Sequence, residues 1–207
     1  SVECDMKNQE LEVKFYVQDL ANIEQRLISL GAVLVQPRTF EINLRFDTPD
    51  LALAHNFRVL RLRQDTAARM TFKGPAYGSE GVRVRQEIEF IVENFESARD
   101  FLEALGYQVS MGYEKYRTVY DLGEVHITLD EMPYGNFVEI EGPDPESILE
   151  VNLDIGLIWE ARASESYVTI FERLKEELKL DFRDLSFENF TWLEISPDQM
   201  KLPFADK

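Results

Sequence analysis

The stretch ELEVKF at residues 10–15 alternates charged and apolar side chains, so Glu10, Glu12 and Lys14 share one face of a strand and Leu11, Val13 and Phe15 the other. This pattern predicts a first strand over residues 9–18. A helix follows, with Asp19 as N-cap, Leu20, Ile23, Leu27 and Leu30 at helical spacing, and Gly31 at its end. Alternation predicts further strands over 39–47, 59–64, 68–74, 81–92, 113–122, 124–132 and 136–142. Turns are expected at 47–50 and at Pro133–Gly135, and Gly74, Pro75, Gly78 and Gly81 mark a loop. Three more helices are expected: one capped by Asn94 and ended by Gly106, one over about 145–155 before Gly156, and one capped by Ser164.

The chain repeats itself. A shift of 75 residues lays EVKFYVQDLANIEQRLISLG on EIEFIVENFESARDFLEALG, with six identical positions. FVEIEGPDPESILEVNLDIG reads as a shortened third strand–helix copy.

Strand parity applied throughout gathers the charges. Arg61 and Arg63 share a face, as do Thr71 and Lys73; Arg83, Arg85, Glu87 and Glu89; Lys115 and Arg117; His126, Thr128 and Asp130; and Glu139 and Glu141. The reverse faces carry Val, Ile, Leu, Met and Phe, an apolar skin suited to covering helices. The 207-residue chain has a formal net charge of −17, which argues against nonspecific binding to nucleic-acid duplexes or anionic membranes. Yet the polar faces hold eight Lys or Arg (14, 61, 63, 73, 83, 85, 115 and 117) against seven carboxylates (10, 12, 87, 89, 130, 139 and 141).

A single E-x-E is ordinarily a solvated strand face, and an ion-pair network without ligand satisfies the same pattern. If the sheet curls with this face inward, clustered carboxylates call for a hard cation such as Mg²⁺ or Mn²⁺, and the guanidinium and ammonium groups call for a multiply charged anion. With two histidines and one cysteine, Cys4, neither a zinc site nor an internal disulfide is expected. His126 shares parity with Asp130 and reads foremost as a hydrogen-bonding strand histidine; His55 falls in a loop. No apolar run approaches the roughly 20 residues of a membrane span, and no signal-peptide pattern is present, so a cytoplasmic protein is expected.

The ordered set Glu10-x-Glu12-x-Lys14, Arg61-x-Arg63, Lys73 in TFKGP, Arg85-x-Glu87-x-Glu89, Lys115-x-Arg117, Asp130 and Glu139-x-Glu141 resembles the CYTH domain, or triphosphate tunnel metalloenzyme, family over about residues 8–175. The resemblance implies an α+β fold: an eight-stranded antiparallel β-barrel open at both ends, with helices packed outside. It implies one tunnel domain over 1–180; the long tail 181–207 departs from the family, and its Phe187, Phe190 and Trp192 make it too apolar for disorder, so it is expected to pack on the domain. Glu10, Glu12, Asp130, Glu139 and Glu141 are the expected ligands of one or two Mg²⁺ or Mn²⁺ ions. Lys14, Arg61, Arg63, Lys73, Arg83, Arg85, Lys115 and Arg117 are the expected phosphate contacts, with Lys73 and Glu87 in catalytic roles. The implied activity is hydrolysis of a triphosphate such as ATP or tripolyphosphate, by a monomer or homodimer. Class IV adenylyl cyclase activity and noncatalytic polyphosphate or nucleotide binding are the alternatives.

Overall fold

A computed structural model describes residues 9–76 and 83–207, with side chains from residue 11 and, in the second segment, from residue 84. The expected Gly78, Gly81 and Val82 lie outside the described residues, as do the side chains of Glu10 and Arg83. The described residues form eight strands: β1 (Gln9–Val17), β2 (Val33–Asp47), β3 (Val59–Gln64), β4 (Ala68–Lys73), β5 (Arg83–Val92), β6 (Gln108–Leu122), β7 (Val125–Met132) and β8 (Gly135–Glu141). All pair antiparallel and close into a barrel in the order β1-β5-β4-β3-β2-β6-β7-β8, with β8 returning to β1.

Two strands are longer than the alternation predicts. β2 begins at Val33 and β6 at Gln108, and the two pair along most of their length. The register slips between Leu34 and Gln36 and again between Gln36 and Thr39, around Pro37, which has no N–H for the ladder. These bulges break the period of two on which the sequence reading depends.

The repeated strand–helix unit is real in three dimensions, and it occurs three times. α1 (Leu20–Ser29), α3 (Phe95–Ala104) and α4 (Pro145–Asp154) each have 10 residues and follow β1, β5 and β8, which are adjacent in the barrel. Asp19, Asn94 and Asp144 cap them, each accepting the backbone N–H three residues on. Gly31, Gly106 and Gly156 end them in the left-handed region, with φ of 81, 94 and 71°. At each end the next residue's N–H bonds back to the last turn (Ala32 to Leu27, Tyr107 to Leu102, Leu157 to Asn152). An alanine at Gly31 meets only the conformational penalty, about 1 kcal/mol. At Gly156 the added methyl also displaces Arg26, whose Nη1 donates to the Ile155 carbonyl at 2.8 Å. Gly156→Ala is therefore expected to lower stability by about 1 kcal/mol more than Gly31→Ala in denaturant unfolding.

The outer barrel face packs on the helices as alternation requires. Val13, Phe15, Ile127, Val138 and Ile140 lie under α1 and α4 with Ile23, Leu27 and Ile148, while Phe46, Leu62 and Met70 meet Ala98 and Leu102 of α3. The skin is not wholly covered, since Ile88 and Phe90 on β5 are exposed.

The last long helix, α5 (Tyr167–Leu178), starts later than its sequence suggests. Ser166, not Ser164, is the cap and accepts from Thr169 N. Residues before it are held extended against β1, with Ala163 N donating to the Lys14 carbonyl and Arg162 bridging Phe15. α5 enters one end of the barrel. There Tyr16, Met111, Met132 and Phe137 continue the inward-facing parity as apolar side chains, buried against Tyr167, Ile170 and Phe171. The opening expected at this end is thus filled, because an apolar inner wall needs an apolar partner.

The tail packs on the same cluster through Leu185, Phe190 and Met200. It is stitched to the barrel by Leu185 N to Gly112 O, Glu114 N to Leu185 O and Ala205 N to Tyr16 O. Short helices not read from the sequence lie at Ala52–His55 (α2), Phe187–Phe190 (α6) and Pro197–Met200 (α7). His55 belongs to α2 and is exposed. Among the described residues no helix is long and apolar enough to cross a membrane.

Candidate active site

The remaining barrel interior is a cavity of about 480 Å³. Its wall carries Lys14, Arg45, Arg61, Arg63, Lys73, Arg85, Lys115 and Arg117 against Glu12, Glu87, Glu89, Glu139 and Glu141. The register explains the juxtapositions. Glu12 lies opposite Glu141, and Lys14 opposite Glu139, across β1 and β8; His126 lies opposite Glu141 across β7 and β8. Lys73 lies opposite Glu87 across β4 and β5, and their side chains pair at 2.7 Å. Directly opposed like charges such as Glu12 and Glu141 destabilise a sheet unless a cation stands between them. Arg85 approaches Glu12 at 4.0 Å.

Behind the wall lies a buried charge network. Lys115 is 2% exposed and sits 3.1 Å from Asp130 and 3.6 Å from Glu41, both of which are fully buried. Arg117 donates to both Asp130 oxygens and, at 2.7 Å, to Glu139. Lys14 reaches Glu139 at 3.1 Å. Burial pushes the Glu139 carboxyl up, but Lys14, Arg117 and Lys115 outweigh it and hold the group well below the usual glutamate range. Glu41 behaves alike: burial raises it, and Lys115, Arg117, Arg63 and Arg61 together bring it far below 4.5.

Both carboxylates are depressed in the fold, so their contribution to stability is fully present above the ordinary value near 4.5. It is lost as pH falls through the depressed values. The thermal midpoint is expected to hold from neutrality to about pH 5 and then fall steeply toward pH 3, little changed by added salt because the groups are buried. Calorimetric scans across that range check this.

Asp130 stands apart from the other expected metal ligands. It is fully buried and does not line the cavity. Its oxygens are taken by Arg117, by Lys115 and by the Tyr167 hydroxyl, which donates to Oδ2 at 2.8 Å. Among the described residues no three acidic, histidine or cysteine side chains converge as a metal cluster; the Glu10 side chain is outside that set. Of the remaining expected residues, Glu12, Glu139 and Glu141 reach the cavity, as do Lys14, Arg61, Arg63, Lys73, Arg85, Lys115, Arg117 and Glu87. Glu89 accepts from Thr71 at 2.8 Å and from Arg63 at 2.9 Å. His126 lines the cavity and also makes a hydrogen bond, its Nδ1 lying 2.5 Å from Asp121.

Sequence reading missed the inner face of β2, where Glu41, Asn43 and Arg45 alternate, although their parity was legible. Arg45 has no carboxylate in ion-pair range among the described residues. Burial lowers its affinity for the proton, and the facing Arg61 and Arg85 lower it further. Tyr113 was missed as well; it shares parity with Lys115, and its hydroxyl accepts from Arg61 at 3.2 Å. Ser166, Tyr167 and Val168 reach the cavity from α5, and no strand pattern announces them.

The family model of the CYTH domain matches residues 8–151. A Methanocaldococcus jannaschii protein named "putative adenylate cyclase MJ0240" is 26% identical over 145 residues, covering 69% of this chain and 79% of its own. A Vibrio parahaemolyticus structure, described in the same words, superposes with a TM-score of 0.72 at 23% identity, covering 80% of this chain and 98% of its own. The PH1012 protein of Pyrococcus horikoshii gives a TM-score of 0.64 at 25% identity, covering 77% and 97%. The match extends over more than half the chain, and the eight-stranded antiparallel ring with helices outside agrees with it. The chain belongs to the CYTH domain family.

Proposed function

We propose that this protein is a divalent-metal-dependent hydrolase of a linear triphosphate, held inside the charged barrel. The observation that carries the reading is the cationic surplus of the wall in a chain of net charge −17. Arg61 and Arg85 both act against the charge on Arg45 there, and a multiply charged anion offsets that repulsion. The described wall offers Val59, Val168, Tyr113, Tyr167 and the His126 ring as apolar or aromatic surface, against thirteen charged Lys, Arg and Glu side chains. That supports recognition of the phosphate chain rather than of a base.

Glu12 and Glu141, opposed across two strands, are hard oxygen donors that suit Mg²⁺ or Mn²⁺. Glu10, of the same parity, and Glu139, kept ionised by its neighbours, complete the proposed donor set. The bound ion supplies Lewis-acid polarisation of a phosphoryl oxygen. Asp130, enclosed by Arg117, Lys115 and Tyr167, serves in this reading to orient those cations instead of binding metal. Lys14, Arg61, Arg63, Lys73, Arg85, Lys115 and Arg117 grip the phosphates, with Arg83 added from the same strand face. Their fixed donors stabilise charge developing on the equatorial oxygens in the transition state. Glu87, 2.7 Å from Lys73, is placed to accept a proton from the attacking water, and Lys73 to stabilise the departing phosphate.

Cyclisation of ATP is the second reading, favoured by the names of two relatives. It requires the ribose 3′-hydroxyl to attack the α-phosphate with loss of pyrophosphate. Incubation with tripolyphosphate, and separately with ATP, in Mg²⁺ or Mn²⁺ distinguishes the two. Orthophosphate release from tripolyphosphate is expected. Cyclic AMP with pyrophosphate as the sole products from ATP, and an inert tripolyphosphate, would establish the cyclase. With a single cysteine, the chain suits the reducing cytoplasm, which is the compartment this reading proposes.

A further inference from the structure

We propose that Tyr167 is a positioning residue for Lys14, contributed by a helix beyond the matched family segment; this rests on the polyphosphate reading above. The Lys14 ammonium lies 4.0 Å from the centroid of the Tyr167 ring and 3.1 Å from Glu139. It is thus in contact with both a carboxylate and an aromatic face. The ring cannot turn away. Its hydroxyl donates to Asp130 at 2.8 Å, and its edge meets Phe137 with centroids 5.1 Å apart at 78°. Burial, with Asp130 and then Glu139, pushes the phenol well above its usual range, so it stays a hydrogen-bond donor.

A lysine needs such a support more than an arginine does. Its ammonium is a point charge on a flexible four-carbon stem, whereas a guanidinium fork is planar and pre-shaped. A carboxylate alone leaves the ammonium free to swing about one contact. The ring face supplies a second attraction that competes with no phosphate oxygen for a lone pair or a proton. Lys115 lies farther from the same ring, at 5.2 Å, and has Asp130 and Glu41 to hold it. Lys14 has Glu139, which Arg117 also engages. Tyr167 therefore matters most to Lys14, and its hydroxyl contact with Asp130 ties that lysine to the Arg117–Lys115 network.

Calorimetric titration of tripolyphosphate into the full chain, in metal-free buffer, tests this with a set of variants. Tyr167→Leu is expected to weaken binding about fivefold, the loss of one desolvated cation–ring contact. Lys14→Ala is expected to weaken it about tenfold. In the Lys14→Ala background, Tyr167→Leu should then add less than about twofold, because the group it positions is gone. Tyr167→Phe, which keeps the ring against Phe137 but loses the hydroxyl bond to Asp130, should bind more tightly than Tyr167→Leu and more weakly than the parent. Equal losses from Tyr167→Leu in both backgrounds would mean a general packing role and overturn the proposal. So would an unchanged affinity in the parent background. If Lys14→Ala itself leaves affinity unchanged, the polyphosphate reading fails and this inference falls with it. A second readout needs no change at residue 167: the Lys14 side-chain proton signals, assigned by their loss in Lys14→Ala, should lie upfield from the ring current. Signals at ordinary lysine positions would contradict the geometry.

Discussion

Replacing Lys115 with methionine is expected to lower the thermal midpoint by on the order of 10 °C. The lysine is 2% exposed and neutralises two fully buried carboxylates, Glu41 and Asp130, at 3.6 and 3.1 Å. Removing one partner from a buried charge cluster strands the others without water, at a cost of about 3–5 kcal/mol. In a domain of this size each 1 kcal/mol moves the midpoint by roughly 2–4 °C. Arg38 provides the comparison. It pairs with Glu131 at 2.6 Å, but both side chains are substantially exposed, so Arg38→Ala should cost about 1 kcal/mol or less. Thermal unfolding followed by circular dichroism reads both. If the two variants lost equal stability, the interior network would not be the organising feature described here.

Lys73→Ala is expected to reduce kcat/KM on tripolyphosphate by about 10²–10³ while leaving the fold intact. The lysine closes β4 at the cavity wall, where its ammonium meets Glu87 at 2.7 Å. An ammonium aimed at a departing phosphate contributes most when charge develops, so kcat should bear more of the loss than KM. Glu87→Gln should resemble it in kcat. Steady-state phosphate release with both variants is the measurement. A Lys73→Ala protein with full turnover would remove this strand from the chemistry.

The sequence was most informative where the backbone kept a period of two. Glu12, Lys14, Arg61, Arg63, Lys73, Arg85, Glu87, Lys115, Arg117, Glu139 and Glu141 all reach the cavity because parity alone decides which way a strand side chain points. Parity does not decide what a side chain touches. Asp130 has the correct face but is enclosed by Arg117, Lys115 and Tyr167, an outcome of side-chain reach across three elements. β2 was shortened in the sequence reading because bulges around Pro37 interrupt the alternation; its inner Glu41 and Arg45 lie within the predicted 39–47 and were passed over although their parity was legible.

Tyr167 had no signature at all. With Ile170, Phe171 and Leu174 it reads as an ordinary helical stripe, and only the docking of α5 in the barrel end brings it to Lys14. The cap error at Ser164 has the same origin. Two serines two residues apart are equally good caps locally, and pairing of residues 162 and 163 with β1 selects the second. Local rules also succeeded where the chain is local: the three helix ends at Gly31, Gly106 and Gly156 follow from their glycines.

The central claim is that the barrel interior of a strongly acidic protein is a polyphosphate site. Calorimetric titration of tripolyphosphate into the wild-type chain and into Arg61→Gln tests it most directly. One anion per chain is predicted to bind despite the net charge of −17, with affinity about tenfold or more weaker in the variant. An absence of binding, or equal affinity in the two proteins, would contradict it.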